Sequence, residues 1–164
     1  MSLSSEEIKN IYYKLSTLFE SLCLLHQKML DLVIQEKAQL IEGTAEELEK
    51  NLKEKLQLIE KIEEVNKQRQ QLLEGELHLT SLTQALEYFS FYEQEQNIFY
   101  LSEFSHLLVE IISNIQEENK RNKLLIQNAL FSLEEIKGSS LGIKNHTLYT
   151  SKGKKITSKI YPEY

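Results

Sequence analysis

Glu103-Phe-Ser-His106 sets a carboxylate and an imidazole three residues apart. That spacing puts both on one face of a helix, as the di-iron carboxylate bundles need. Such a centre also draws on a second Glu-x-x-His and two further inward glutamates. No second copy exists around the four histidines (26, 78, 106, 146), so the motif reads as a surface glutamate and a helix histidine, and no metal or cofactor is expected. Cys23 and His26 are also three apart, but the only acid read as near them is Asp31. On an apolar helical face they read as packing groups rather than a nucleophile and its base. The lysine-rich "SKGKK" (151–155) lacks the Gly-x-x-x-x-Gly-Lys-Ser/Thr spacing that cradles phosphate. An enzyme is therefore not expected, and function falls to binding.

Asn119 and Asn122 raise a different question. They stand one turn apart where an apolar line from Ile111 and Ile115 should continue towards Ile126, Ala129 and Leu133. An amide on a helical seam lowers stability but fixes register by bonding one specific partner. It can equally be turned towards another chain. The sequence alone leaves both readings open.

The elements that would position these residues are long. With 164 residues, 41% hydrophobic and 27% charged, the chain can bury one core. Five glycines and one proline are too few for a fold with many turns. Ser4-Ser-Glu-Glu7 is a capping box, opening a helix whose apolar face runs Ile8, Tyr12, Leu15, Phe19, Leu22, Leu25, Met29, Leu32 and Leu40. Gly43 is expected to end it in the left-handed conformation. Thr44-Ala-Glu-Glu47 is a second box, and Ala45, Leu48, Leu52, Leu56, Ile59, Ile62 and Val65 draw the stripe of a second helix that Gly75 would close. Two long helices joined by a tight turn make an antiparallel hairpin. Ser81 with Gln84 starts a short third helix, a break falls within the aromatic-rich stretch 87–104, and a last helix runs from about Ile98 to Lys137, ended by Gly138. The expected fold is all-α: a long helical hairpin, a short helix and a long last helix, with residues 1–138 as the helical domain and 139–164 as a flexible or small-hairpin tail.

Charge is unevenly spread. Residues 137–164 hold six lysines against Glu163, or +5, and the total of −6 leaves −11 for residues 1–136. An acidic body repels nucleic acid, whose binding depends on a continuous basic footprint. A single cysteine allows no internal disulfide. No stretch approaches the roughly 18 apolar residues of a membrane span, so no membrane insertion is expected and the location is read as cytoplasmic.

The hairpin "LLHQKMLDLVIQEKAQLIEGTAEELEKNLKEKLQLIEKIEEVNKQRQQLL" (24–73), with its "EG-T-AEEL" turn and "KQRQQLL" end, resembles the FlgN-type flagellar export chaperones. "IQEENKRNKLLIQNALFSLEEI" (115–136) resembles the family's last helix, with Asn119 and Asn122 followed by Leu124 and Leu125. "LYTSKGK" (148–154) is a third match in the family's order, and the likeness covers about residues 20–155.

The resemblance implies a cytosolic chaperone that binds the C-terminal helical segments of hook-associated (hook-filament junction) proteins, prevents their early assembly and delivers them to components of the flagellar export apparatus. It points to Asn119 and Asn122 as amides at one end of a binding groove, with Leu125, Ile126, Ala129 and Leu133 as its apolar floor. The alternative is a structural coiled-coil adaptor that self-associates through the same stripes, without a secretion role.

Overall fold

The computed structural model describes residues 2–140. They form four helices: α1 (Ser5–Glu42), α2 (Ala45–Glu76), α3 (Leu82–Gln96) and α4 (Tyr100–Ser140). Among the described residues there is no strand, and the fold is all-α as expected. The tail from residue 141 on, with its "LYTSKGK" and "SKGKK", lies outside the described residues.

The helix starts follow their capping signals. Ser4 Oγ accepts from the Glu7 amide at 3.2 Å while the Ser4 amide donates to Glu7 Oε2 at 2.7 Å. Thr44 and Glu47 repeat the exchange, both bonds at 3.2 Å. Ser81 Oγ accepts from the Gln84 amide, and Gln84 Oε1 accepts from the Thr80 amide. Each box satisfies amides that a helix start leaves without internal partners.

The helix ends depart from expectation. Gly43 follows α1, but its backbone is not left-handed; glycine is needed there because a Cβ would stand 2.6 Å from both Cα and O of Gln39. Gly75 does not close α2, which continues to Glu76, and the left-handed residue beyond it is His78 (φ 55°). Gly138 lies inside α4, which runs to Ser140. Between α3 and α4 the break is made by Asn97 at φ 53°. The Ile98 amide there bonds Glu93 O at 3.1 Å and the Asn97 amide bonds Gln94 O at 3.4 Å, closing the helix as a Schellman motif.

The chain divides into two compact units. The first comprises Met1–Lys28 with Glu60–Ile111. Its core is aromatic: Tyr12, Phe19 and Phe89 are fully buried, and Tyr12 packs against the rings of Phe89 and Tyr92 at centroid distances of 5.4 and 4.9 Å. Rings of this size bury more area than any aliphatic side chain, and each tilted pair adds roughly 0.5–1.5 kcal/mol beyond burial. Within this core the Tyr12 hydroxyl donates to Glu93 Oε2 at 2.6 Å and accepts from the Leu101 amide at 3.3 Å. Ser102 donates to the same carboxylate through both its hydroxyl and its amide. The first amides of α4 thus find their acceptors on α1 and α3. Burial, followed by the Glu93 carboxylate, holds the Tyr12 hydroxyl far above its ordinary range of ionisation. Leu101 beside Tyr12 and Phe104 beside Cys23 set α4 running in the direction of α1.

The second unit comprises Met29–Ile59 with the described part of α4 from Ile112. Apolar residues Met29, Leu30, Val33, Leu58 and Ile115 are buried here, but so are Glu36, Asn51, Lys55 and Asn122. A polar layer through all three helices replaces the aromatic core of the first unit.

Candidate functional site

The layer starts from position. Met29, Val33 and Glu36 fall on one face of α1, and Asn51, Lys55 and Leu58 on one face of α2, at spacings of three and four. That geometry aims polar groups at the same interior as their apolar neighbours. Lys55, with 0% of its side chain exposed, pairs with Glu36 Oε2. Asn122 of α4 donates to Glu36 Oε1 at 3.0 Å and to Val33 O at 2.9 Å. Asn51 of α2 donates to Leu32 O, also at 2.9 Å. Two amides from flanking helices therefore hold consecutive carbonyls of α1. Burial pushes the Lys55 ammonium below its ordinary pKa, and the Glu36 carboxylate opposes that shift.

The expected α2 stripe is re-centred by this layer. Of Ala45, Leu48, Leu52, Leu56, Ile59, Ile62 and Val65, only Ile62 is buried, and Leu56 is exposed. The line that faces inward runs Asn51, Lys55, Leu58, Ile62. A lysine can occupy it because its aliphatic stem packs like a hydrocarbon while its ammonium finds a carboxylate.

Along α4 one line passes from core to surface. Ile115 and Asn122 are 4% and 1% exposed; Leu125 and Ile126 are half-buried; Ala129 is exposed; Leu133 and Ile136 reach 45% and 60%. Leu124 and Phe131 beside this line are exposed as well. The cause is length. Val33, the partner of Asn122, lies nine residues before the end of α1 at Glu42, whereas α4 runs eighteen residues beyond Asn122 to Ser140. The apolar seam outlasts the helix that covers it.

The six residues expected to bind a partner are therefore placed differently from one another. Leu125, Ile126, Ala129 and Leu133 share one line of increasing exposure. Asn119 is half-buried, and its side-chain oxygen is buried without a hydrogen-bond partner among the described residues. Asn122 does not present its amide nitrogen outward; it is buried and bonded to α1. Glu36, Asn51 and Lys55 were not among the expected residues. Their only sequence signal is that Glu36 continues the Met29–Val33 spacing and Lys55 the Asn51–Leu58 spacing.

The other candidates are accounted for by packing or exposure. Glu103 and His106 are both exposed, and among the described residues no three His, Cys, Asp or Glu side chains gather as metal ligands. The buried Cys23 thiol donates to Phe104 O at 3.2 Å, and burial followed by the charge of Glu20 raises its pKa. His26 donates from Nδ1 to Leu22 O at 2.7 Å, and burial holds its pKa below the ordinary value of 6.5.

The fold defines an all-α helical protein whose last helix carries an exposed apolar seam. Among the described residues, no helix is long and apolar enough to cross a membrane. The family model described as FlgN protein matches residues 12–156, and the chain belongs to that family, the flagellar export chaperones. Chaperones of the family bind flagellar hook-associated proteins in general. No curated protein matches the chain, and no solved structure does.

Proposed function

We propose that this chain is a cytoplasmic chaperone that holds the C-terminal amphipathic helical segments of hook-associated proteins against α4, prevents their early assembly and delivers them to the export apparatus. The supporting observation is the line Leu125, Ile126, Ala129, Leu133, which passes out from under α1. An amphipathic helix laid along it would bury its own apolar face, and helix-in-groove recognition reads such anchors at spacings of three and four. In this reading residues 1–138 are the chaperone domain, and the basic segment 139–164 offers charge to an acidic partner.

The test mixes the full chain with hook-associated subunits, intact and lacking their C-terminal segment. A stable complex with the intact subunits alone is expected. Ala129→Asp with Leu133→Asp should weaken it at least about tenfold, since a charge cannot be desolvated against an apolar face without loss. Equal binding of truncated subunits would overturn the reading. The exposed seam also suits self-association, so sedimentation decides against the adaptor: a monomer that becomes a heterodimer with a subunit supports the chaperone, and a stable homo-oligomer that excludes subunits supports the adaptor.

A further inference from the structure

We infer that the Glu36–Lys55–Asn122 layer is a register stop, which limits a bound helix to the part of α4 beyond Asn122 and so sets the length of partner segment the protein can use. This rests on the chaperone reading, because a stop has meaning only where a foreign helix is admitted.

Where two helices meet along a purely apolar seam, a third amphipathic helix can displace one of them stepwise, since each lost apolar contact is replaced by an equivalent one. Nothing in such a seam marks where displacement ends. Polar groups at seam positions mark it, as a single buried amide fixes pairing and register in coiled coils.

The layer is built to do this. An incoming helix that advanced past Asn122 would have to part α4 from α1, removing two hydrogen bonds of Asn122, to Val33 O at 2.9 Å and Glu36 Oε1 at 3.0 Å. Parting α1 from α2 would strip Glu36 from Lys55, whose side chain has 0% exposure, and Leu32 O from Asn51. The apolar face of an invading helix replaces none of these, and a buried charge deprived of its counter-ion is strongly unfavourable. The location fits as well: Asn122 is the last fully buried residue of the line before exposure begins at Leu125 and Ile126. From Leu125 to Ile136 the open stretch is about 18 Å at 1.5 Å per residue, or three turns.

The experiment uses the full chain with C-terminal peptides of hook-associated subunits, cut to about 12, 20 and 28 residues, lengths chosen from the helical rise. Affinity should level off near the shortest length, with longer peptides gaining less than about twofold. Hydrogen exchange on the complex should show new protection at residues 125–136 and unchanged protection at 29–36 and 51–58. The variant Glu36→Leu, Lys55→Met, Asn122→Leu makes the layer apolar; in it the longest peptide should gain at least about tenfold over the shortest. A wild-type footprint that crosses Asn122, or a variant with the wild-type plateau, would overturn the stop while leaving the chaperone reading intact. No binding at any length would remove both. Should the triple variant not fold, the wild-type footprint and length series still decide the matter.

Discussion

Asn122 and Glu36 meet at 3.0 Å inside the second unit, an amide on α4 donating to a carboxylate on α1. The same amide reaches Val33 O, so Asn122 works for its own fold. Asn122→Ala removes both bonds and leaves Glu36 one donor short, an expected loss of about 1–3 kcal/mol in urea denaturation. Asn119 is half-buried, and among the described residues its buried side-chain oxygen has no hydrogen-bond partner; Asn119→Ala breaks no bond and should not lower stability by more than about 0.5 kcal/mol. Two asparagines that look equivalent in sequence should thus separate in one melt. Equal effects would show that the amide bonds contribute nothing net.

Lys55 tests the same layer from α2. Lys55→Met leaves the Glu36 carboxylate buried without its cation, and the expected loss is about 3–5 kcal/mol. Removing both charges, with Glu36→Leu and Lys55→Met, should recover most of that loss or exceed wild type, because apolar groups of similar volume need no desolvated pair. A double-mutant cycle read by chemical denaturation measures the difference. A single variant as stable as wild type would mean that Glu36 finds water when Lys55 is gone.

These residues also show why the sequence was legible in some places and opaque in others. Helix number, starts and class follow from local signals: Ser4–Glu7, Thr44–Glu47 and Ser81–Gln84 bond as their spacing predicts, since a capping box is closed within four residues. The inward face of α2 is not local. Counting apolar residues centred it on Leu48, Leu52 and Leu56, whereas Asn51 and Lys55 face inward, because their partners Leu32 O and Glu36 lie nineteen residues away on α1. A lysine is read as solvated unless its counter-ion is known to sit opposite. The line Leu125 to Leu133 was visible as spacing, but its exposure was not, since that depends on where α1 stops. The left-handed conformation expected of Gly43 falls elsewhere for a related reason: glycine is the usual candidate, yet His78 and Asn97 adopt it.

Glycine provides a paired prediction. A Cβ on Gly43 would lie 2.6 Å from backbone atoms of Gln39 and 2.8 Å from Glu47 Oε2, so Gly43→Ala must shift the α1–α2 turn and should lose about 1–3 kcal/mol. Gly75 lies within α2 with nothing near its missing Cβ. There, alanine restricts the unfolded chain and favours the helix, for an expected gain of about 0.5–1 kcal/mol. Opposite shifts in melting temperature check the pair, and a stabilised Gly43→Ala would remove close approach as the reason for that glycine.

His26 gives the protein a pH dependence whose sign is set by burial. The imidazole is 1% exposed and donates from Nδ1 to Leu22 O, and desolvation lowers its pKa below the unfolded value of 6.5, with the Leu22 bond opposing. A group whose folded pKa is depressed contributes stability that is fully present above its unfolded pKa. As pH falls below 6.5, the unfolded chain takes up a proton that the folded chain resists, so stability declines until the folded pKa is passed and then levels. The slope from this one group cannot exceed about 1.4 kcal/mol per pH unit. His26→Gln keeps an amide donor for Leu22 O and has no proton to gain. Urea melts at intervals from neutral pH to just above the carboxylate range should slope downward for wild type and run flatter for His26→Gln. Identical slopes would mean that His26 titrates at its ordinary value in the folded protein.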